Sequence, residues 1–154
     1  MVAVAPKRFL LDDETAINLV AWRSSRLTRV ARSSLAAETQ ALSEGEQELM
    51  WVRLQMAELE GVEVDPKDAW KAVASIPGLC VINAKALHDA IQKSREGGVV
   101  TIKEKSSALE LLGLIDSLKQ GFTTVRWVHS ESQIADALTK HTALSRGALA
   151  RFMQ

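Results

Sequence analysis

Residues 79–89, LCVINAKALHD, contain the transition that decides the fold. The apolar run 79–82 follows a Pro-Gly turn signal and contains β-branched side chains, so we expect a short buried strand. The residues that follow, 84–94, have a helical pattern, which the sequence REGG ends. Asn83 stands at the junction, where an asparagine is either the N-cap of the helix or a functional group. The residues themselves leave both interpretations of Asn83 open.

The rest of the chain repeats this alternation of strand and helix patterns. MVAVAP at 1–6 and INLVAWRS at 17–24 predict the two strands of a hairpin. Ser33 or Ser34 is a suitable N-cap for a long helix that reaches Glu60 and stops at Gly61. Further patterns predict a short helix opening at Asp65, a helix over 108–118, a strand in FTTVRWVHS at 122–130, and a last helix opened by a Ser130–Gln133 capping box. Strands that alternate with helices indicate a mixed α/β sheet.

Length and composition indicate a single domain. The chain has 154 residues, of which 47% are hydrophobic and 25% charged, as in ordinary globular proteins. We expect a hairpin with a basic lead-in over 1–32, the helices and remaining strands over 33–141, and a C-terminal tail over 142–154.

Cys80 lies in an apolar run and is expected to be a small buried side chain rather than a nucleophile. Because no apolar run approaches roughly 18 residues and the N-terminus lacks a signal-peptide pattern, we expect no membrane partner and an intracellular location, cytoplasmic or nuclear.

The charged residues are balanced in number but unevenly distributed. Nineteen basic residues accompany nineteen acidic ones, yet residues 15–37 contain no acid. From residue 38 to 65, by contrast, the sequence contains eight acidic residues and a single basic one, Arg53. The arginines of the acid-free segment recur at every third position and are called the basic strip below: Arg23, Arg26, Arg29 and Arg32. A strip of this kind either contacts the phosphates of a nucleic acid or is a solvated face.

Glu38 is unusual within the long predicted helix. At about 100° per residue the apolar side chains of this helix share one face, and Glu38 falls in the middle of that face. A carboxylate in such a position is costly unless something compensates its charge. Either Glu38 lies at the edge of the core near the helix N-terminus, or it points into a cleft and holds a metal ion. The apolar face consists of Leu35, Leu42, Leu49, Val52, Met56 and Leu59.

Two longer stretches, ARSSLAAETQALSEG at 31–45 and VRWVHSESQIADALTK at 125–140, carry a resemblance to a known family. They resemble the ribonuclease H domain of copia-type LTR retrotransposon polyproteins, in which a helix begins with S-x-x-x-A-E and the domain closes with a pattern near W-V-P-T-x-x-Q-x-A-D-x-L-T-K. The resemblance extends from about residue 17 to 140. It implies a ribonuclease H-like mixed sheet flanked by helices. It also implies a neighbouring reverse transcriptase domain in a parent polyprotein, and RNA–DNA hybrids or RNA as partners.

The resemblance also implies a chemistry. Members of the family hydrolyse the RNA strand of the hybrid with two Mg²⁺ (or Mn²⁺) ions, which four carboxylates hold. By position, the second carboxylate is Glu38 and the fourth is Asp136. Asn83 occupies the place of the third, where the family has an aspartate. The first strand of the family fold, with its aspartate, has no counterpart before MVAVAP, so we expect a truncated N-terminus, weakly bound metal and feeble hydrolysis at most.

Three further assignments follow from the motifs. The basic strip would bind nucleic-acid phosphates, and the chain could do so without catalysis, as a binding or interaction remnant. His129 occupies a position that is usually proline in the family, and it is either an auxiliary residue for product release or an exposed loop histidine. Trp127 alternates with Val125 and is expected to belong to the core rather than to stack on bases.

Overall fold

The computed structural model describes residues 1–6, 16–27, 29–100 and 105–134. These residues form four α-helices and two small β-sheets, so the predicted mixed α/β class is confirmed. The described strands do not form one sheet, however: they pair as an antiparallel couple and a separate parallel couple. Among the described helices, none has the length and apolarity that a membrane crossing requires.

The N-terminal hairpin is present. Strand β1 (Val2–Val4) pairs antiparallel with strand β2 (Asn18–Ala21), which is shorter than the predicted segment 17–24. The register shifts between Val2 and Ala3, which marks an irregularity in the short ladder. Leu19 and Val20 are consecutive and therefore lie on opposite faces of β2, and both are about half exposed.

Helix α1 (Ser34–Leu59) has the predicted ends. Ser33 is the N-cap, and its hydroxyl oxygen accepts a hydrogen bond from the Ala36 amide at 3.1 Å. Past the other end, Gly61 adopts φ of 79°, a left-handed conformation that glycine tolerates and that stops the helix.

The buried face of α1 differs from the predicted one. It is rotated by roughly a quarter turn, at about 100° per residue. Leu59 is consequently 81% exposed, and Glu38 is exposed at the margin of the buried face rather than in its middle. The pattern of large apolar residues was misleading because, apart from Leu42, small or polar side chains fill the buried face: Ala36, Thr39, Gln40, Glu46, Arg53 and Ala57.

The parallel sheet is formed by strands β3 (Gly78–Ile82) and β4 (Thr123–Trp127), in register from Gly78 opposite Thr123 to Ile82 opposite Trp127. Helix α2 (Ala69–Ser75) precedes β3. The prediction that this helix opens at Asp65 was wrong. The Asp65 carboxylate accepts from the Lys67 amide at 2.8 Å and holds a turn, which delays the helix until Ala69.

Two more helices complete the fold, α3 (Lys85–Arg95) and α4 (Lys105–Gln120), near their predicted positions. Together with α1 they enclose the parallel sheet in one hydrophobic cluster. The prediction of a buried Cys80 is confirmed, since its side chain belongs to this cluster. The cluster consists of Leu42, Cys80, Ile82, Leu87, Ile91, Leu111, Leu114, Ile115, Leu118 and Val125.

Candidate functional site

The carboxyl edge of the parallel sheet brings together residues that are far apart in sequence. Because β3 and β4 run in the same direction, the residues that follow them meet at one edge. The Val128 amide donates to the Ile82 carbonyl at 2.9 Å and continues the ladder beyond the strands. Beside it, the Asn83 side-chain amide donates to the Ser130 hydroxyl at 3.5 Å. Sequence reasoning had placed both segments in the candidate site, and the fold makes them neighbours.

Of the two interpretations of Asn83, the N-cap one was wrong, because Asn83 does not cap the following helix. The N-cap of α3 is Ala84, which makes no side-chain hydrogen bond to the first turn. The chain passes through one more residue before the helix begins, and the Asn83 side chain turns to Ser130 instead. Its backbone carbonyl accepts from the Trp127 indole N–H at 3.1 Å. Asn83 thus ties the ends of the two strands together.

Glu38 faces the start of α3 across a small hollow of about 180 Å³. Here the first turns of α1 and α3 meet. The amino end of α3 carries partial positive charge from its unpaired amides, which favours a nearby carboxylate. The positive end of α3 therefore explains why the acidic residue Glu38 can lie beside the otherwise apolar contact between α1 and α3. The lining residues are Ser34, Leu35, Glu38, Ala84, Lys85, Ala86 and Leu87.

Metal-ligating groups are sparse within the described ranges. No group of three or more His, Cys, Asp or Glu side chains is close enough there to hold a metal ion. At the carboxyl edge, Glu38 offers a carboxylate and Asn83 a neutral amide oxygen. Asp136, the other predicted ligand, lies outside the described residues. Magnesium prefers several hard oxygen ligands, so these two donors alone are a poor site for it.

Trp127 lies at the surface of this edge, and the prediction of a core position was wrong. It shares a face of β4 with the buried Thr123 and Val125, but it stands at the open end of the sheet and is 36% exposed. The Lys85 ammonium lies 5.5 Å from the centre of its ring, within cation–π range. The His129 ring meets it edge-on, with the ring centres 6.4 Å apart. An indole, an imidazole and an ammonium therefore cluster beside Asn83.

The predicted capping box at Ser130 and Gln133 was also wrong. Ser130–Ser132 forms a short 3₁₀ turn whose N-cap is His129. The Ser130 hydroxyl is engaged by Asn83, and the Gln133 side-chain amide donates to the Val81 carbonyl at 3.2 Å. The tertiary contacts with β3 thus replace the local ones. The rest of the segment predicted as the last helix lies outside the described residues.

The basic strip is exposed, and part of its charge is matched within the chain. Arg29 donates to Glu110 at 2.7 Å, which ties the strip to α4. Arg23 lies 3.9 Å from Glu48 on α1, a long and solvent-exposed pair worth little. Arg26 and Arg32 are exposed as well. Two of the four positive charges of the strip thus lie near acids of the chain, so its net charge is lower than four arginines suggest.

Lys85 also shapes the electrostatics on α3. Its ammonium lies 3.1 Å from Asp89, one helical turn further on. The hydrogen bonds from Lys85 and then from His88 hold the pKa of the Asp89 carboxyl below its usual value. Asp89 therefore stays ionised and neutralises part of the positive charge near Trp127.

The opposite edge of the sheet contains a buried polar network that sequence reasoning missed. Arg53 is 2% exposed and donates to the Ile76 carbonyl at 2.7 Å, the Thr123 hydroxyl at 2.8 Å and the Gly121 carbonyl at 2.6 Å. Burial lowers the pKa of its guanidinium, and the carboxylate of Glu46 opposes this effect. Glu46 itself is 2% exposed.

A sequence signal for this network existed. Glu46 and Arg53 lie seven residues apart, which is two helical turns, so an acid and a base share one face of α1. Ser117 on α4 completes the network by donating to Glu46 at 2.7 Å.

Comparison with protein-family models, with curated proteins and with solved structures found no match to this chain. The function must therefore be inferred from the residues and their arrangement.

Proposed function

We propose that this chain is a ribonuclease H-like domain of copia-type retrotransposon origin that binds RNA–DNA hybrids or RNA and hydrolyses them feebly at most. One observation carries the proposal. Glu38 and the turn that begins at Asn83, which the motifs select from distant parts of the sequence, adjoin the same edge of a parallel sheet. Ser130, in the closing motif, contacts Asn83 at that edge. Convergence of separate motif segments on one edge is what a functional site requires.

The oxygen ligands available for metal ions determine how much hydrolytic activity is expected. Hydrolysis by two metal ions needs carboxylates that offset the charge of two dications. Among the described residues at this edge, Glu38 supplies one negative charge, and Asn83 would supply a neutral oxygen. This set of ligands does not fit a pair of magnesium ions. By the resemblance, Asp136 would add a second carboxylate.

A second candidate function is nucleic-acid binding without catalysis, within or apart from a polyprotein that contains a reverse transcriptase. The neutral amide of Asn83 in place of a carboxylate favours it, as do the exposed guanidinium of Arg26 and the Lys85–Trp127 pair. In this case the basic strip would supply phosphate contacts while the carboxyl edge contributes a ring and an ammonium.

Cleavage of a labelled RNA–DNA hybrid in Mg²⁺ or Mn²⁺ separates the two functions. We expect binding with little or no cleavage in the wild type. Glu38→Gln is the informative variant, and Glu58→Gln, an exposed acid on the same helix, is its control. Rapid cleavage that Glu38→Gln abolishes and Glu58→Gln retains would overturn the claim of impairment.

Salt dependence tests the binding part. Each phosphate contact contributes about 0.9 to the slope of log affinity against log salt on duplexes. Arg26→Gln should therefore reduce the slope for the hybrid by about 0.9, with Lys67→Gln, an exposed charge on the turn before α2, as control. If neither hybrid nor RNA binds at low salt, the proposal fails in both forms.

A further inference from the structure

The amino edge of the parallel sheet, opposite the candidate site, carries an exposed aromatic ring between cations. Phe122 follows Gly121 at the end of α4 and immediately precedes β4, and it is 77% exposed. It adjoins an open hollow of about 450 Å³. Among the described residues, none that lines this hollow is acidic: they are Arg95, Leu118, Lys119, Phe122, Thr123 and Thr124.

The backbone of Phe122 is held in a conformation that phenylalanine rarely adopts. Its φ is 48°, in the left-handed region. The residues on both sides explain why this conformation persists, because Arg53 donates to the Gly121 carbonyl and to the Thr123 hydroxyl. A buried guanidinium therefore fixes the turn from within, and the ring projects outward. Strained residues that their surroundings enforce are concentrated at binding and active sites.

The cations are placed on the walls of the same hollow. Arg95, at the end of α3, donates to the Thr123 carbonyl at 2.6 Å, which anchors its guanidinium beside the start of β4. Lys119 lies on the last turn of α4 and is exposed. Thr124 adds an exposed hydroxyl. An exposed aromatic ring on a fixed turn, two positive charges and a hydroxyl are together complementary to a flat aromatic ligand that carries a negatively charged group.

We propose that this amino edge binds single-stranded nucleic acid, with one base stacked on Phe122 and the flanking phosphates on Arg95 and Lys119. Single-strand binding sites combine stacking rings with a positively charged track in this way. An acidic peptide would match the charges but would leave the exposed ring without a stacking partner. The inference does not depend on the carboxyl edge or on hydrolysis, since it uses none of the residues there.

Fluorescence anisotropy with labelled oligothymidylate tests the proposal, with Phe122→Gly as the central variant. Glycine removes the ring and also relieves the strained φ, so the variant should unfold at the same or a higher temperature than the wild type. We expect its affinity to fall roughly 5- to 150-fold, the range for loss of one stacked base. Unchanged affinity in a folded Phe122→Gly variant would overturn the proposal.

Charge variants and crosslinking supply independent measurements. Lys119→Gln should lower the salt slope by about 0.7, the value for one phosphate on a single strand. Its matched control is Lys105→Gln on the first turn of the same helix, roughly 21 Å away at 1.5 Å per residue and beyond the screening length. A 5-iodouracil-substituted strand should crosslink to Phe122. Crosslinking to Trp127 instead, or equal competition by polyglutamate in wild type and Phe122→Gly, would contradict the assignment.

Discussion

Replacing Arg53 by methionine should cost more stability than any exposed substitution in this protein. The guanidinium is buried and makes three hydrogen bonds to α2–β3, to the α4–β4 turn and to β4. Its removal leaves the Ile76 and Gly121 carbonyls without these donors and the Glu46 carboxylate without its nearby positive charge. Hydrogen bonds to charged groups contribute about 1.5–3 kcal/mol each, and the burial of a methionine recovers part of the loss. We expect a net loss of about 3–5 kcal/mol, as is typical when one partner of a buried charge network is removed.

Urea unfolding followed by tryptophan fluorescence measures this loss. Trp70 lies next to the turn that Arg53 holds, so its emission should report the transition. Arg23→Met is the matched control, because its side chain is 57% exposed and its carboxylate partner lies 3.9 Å away. The control should change the free energy of unfolding by less than about 0.5 kcal/mol. A loss below about 1 kcal/mol for Arg53→Met would refute the claim that this network organises the amino edge.

Three other substitutions test separate parts of the structure. Gly78→Ala would place a methyl group 2.7 Å from the Arg53 guanidinium. The free energy of unfolding in urea should therefore fall by about 1–3 kcal/mol. An unchanged free energy of unfolding would contradict the close approach of Gly78 and Arg53. Burial raises the pKa of Cys80 from 9.0 to about 12, so the unfolded thiol ionises first and stability should fall by about 1.4 kcal/mol per pH unit from pH 9 towards 12. Cys80→Ala should remove that part of the pH dependence. If the free energy of unfolding fell equally steeply with pH in the variant and in the wild type, the prediction would be contradicted. Asn83→Asp should tighten Mn²⁺ binding in calorimetry, because it adds a negatively charged oxygen ligand near Glu38. The melting temperature should not change, since Ser130 can donate to the new carboxylate. Unchanged Mn²⁺ affinity would argue against a cation site near Glu38.

Local patterns predicted the elements of this fold well. Ser33 and Gly61 mark the two ends of α1 because capping and left-handed termination depend on residues close in sequence. The strand at 79–82 and the helices after it were predicted for the same reason, as apolar runs and helical spacing are local properties.

The side chains of the candidate site were predicted less well, because they respond to distant parts of the chain. Asn83 would cap α3 if only its neighbours mattered, but Ser130, far along the sequence, takes its amide. Gln133 likewise donates to Val81 rather than to its own turn. The buried face of α1 was misjudged because Glu46 and Arg53 can be buried only when α4, the α4–β4 turn and β4 supply partners. Those partners cannot be identified before the fold is known.

The network around Arg53 connects stability to the proposed single-strand site, and this connection can be measured. Arg53 donates to the Gly121 carbonyl before Phe122 and to the Thr123 hydroxyl after it. A substitution that weakens these hydrogen bonds should therefore release the turn that carries Phe122, although it leaves the phenylalanine itself unchanged. Arg53→Lys keeps the positive charge, but its single ammonium lacks the planar fork that reaches three acceptors.

We expect Arg53→Lys, at a temperature where it stays folded, to lose most of the oligothymidylate affinity that Phe122→Gly loses. The double variant should then bind no more weakly than Phe122→Gly alone, because both changes remove the same interaction. Glu46→Gln, which leaves the three Arg53 hydrogen bonds in place, is the control and should bind as the wild type does. Additive losses in the double variant would mean that Arg53 stabilises the fold without positioning the ring.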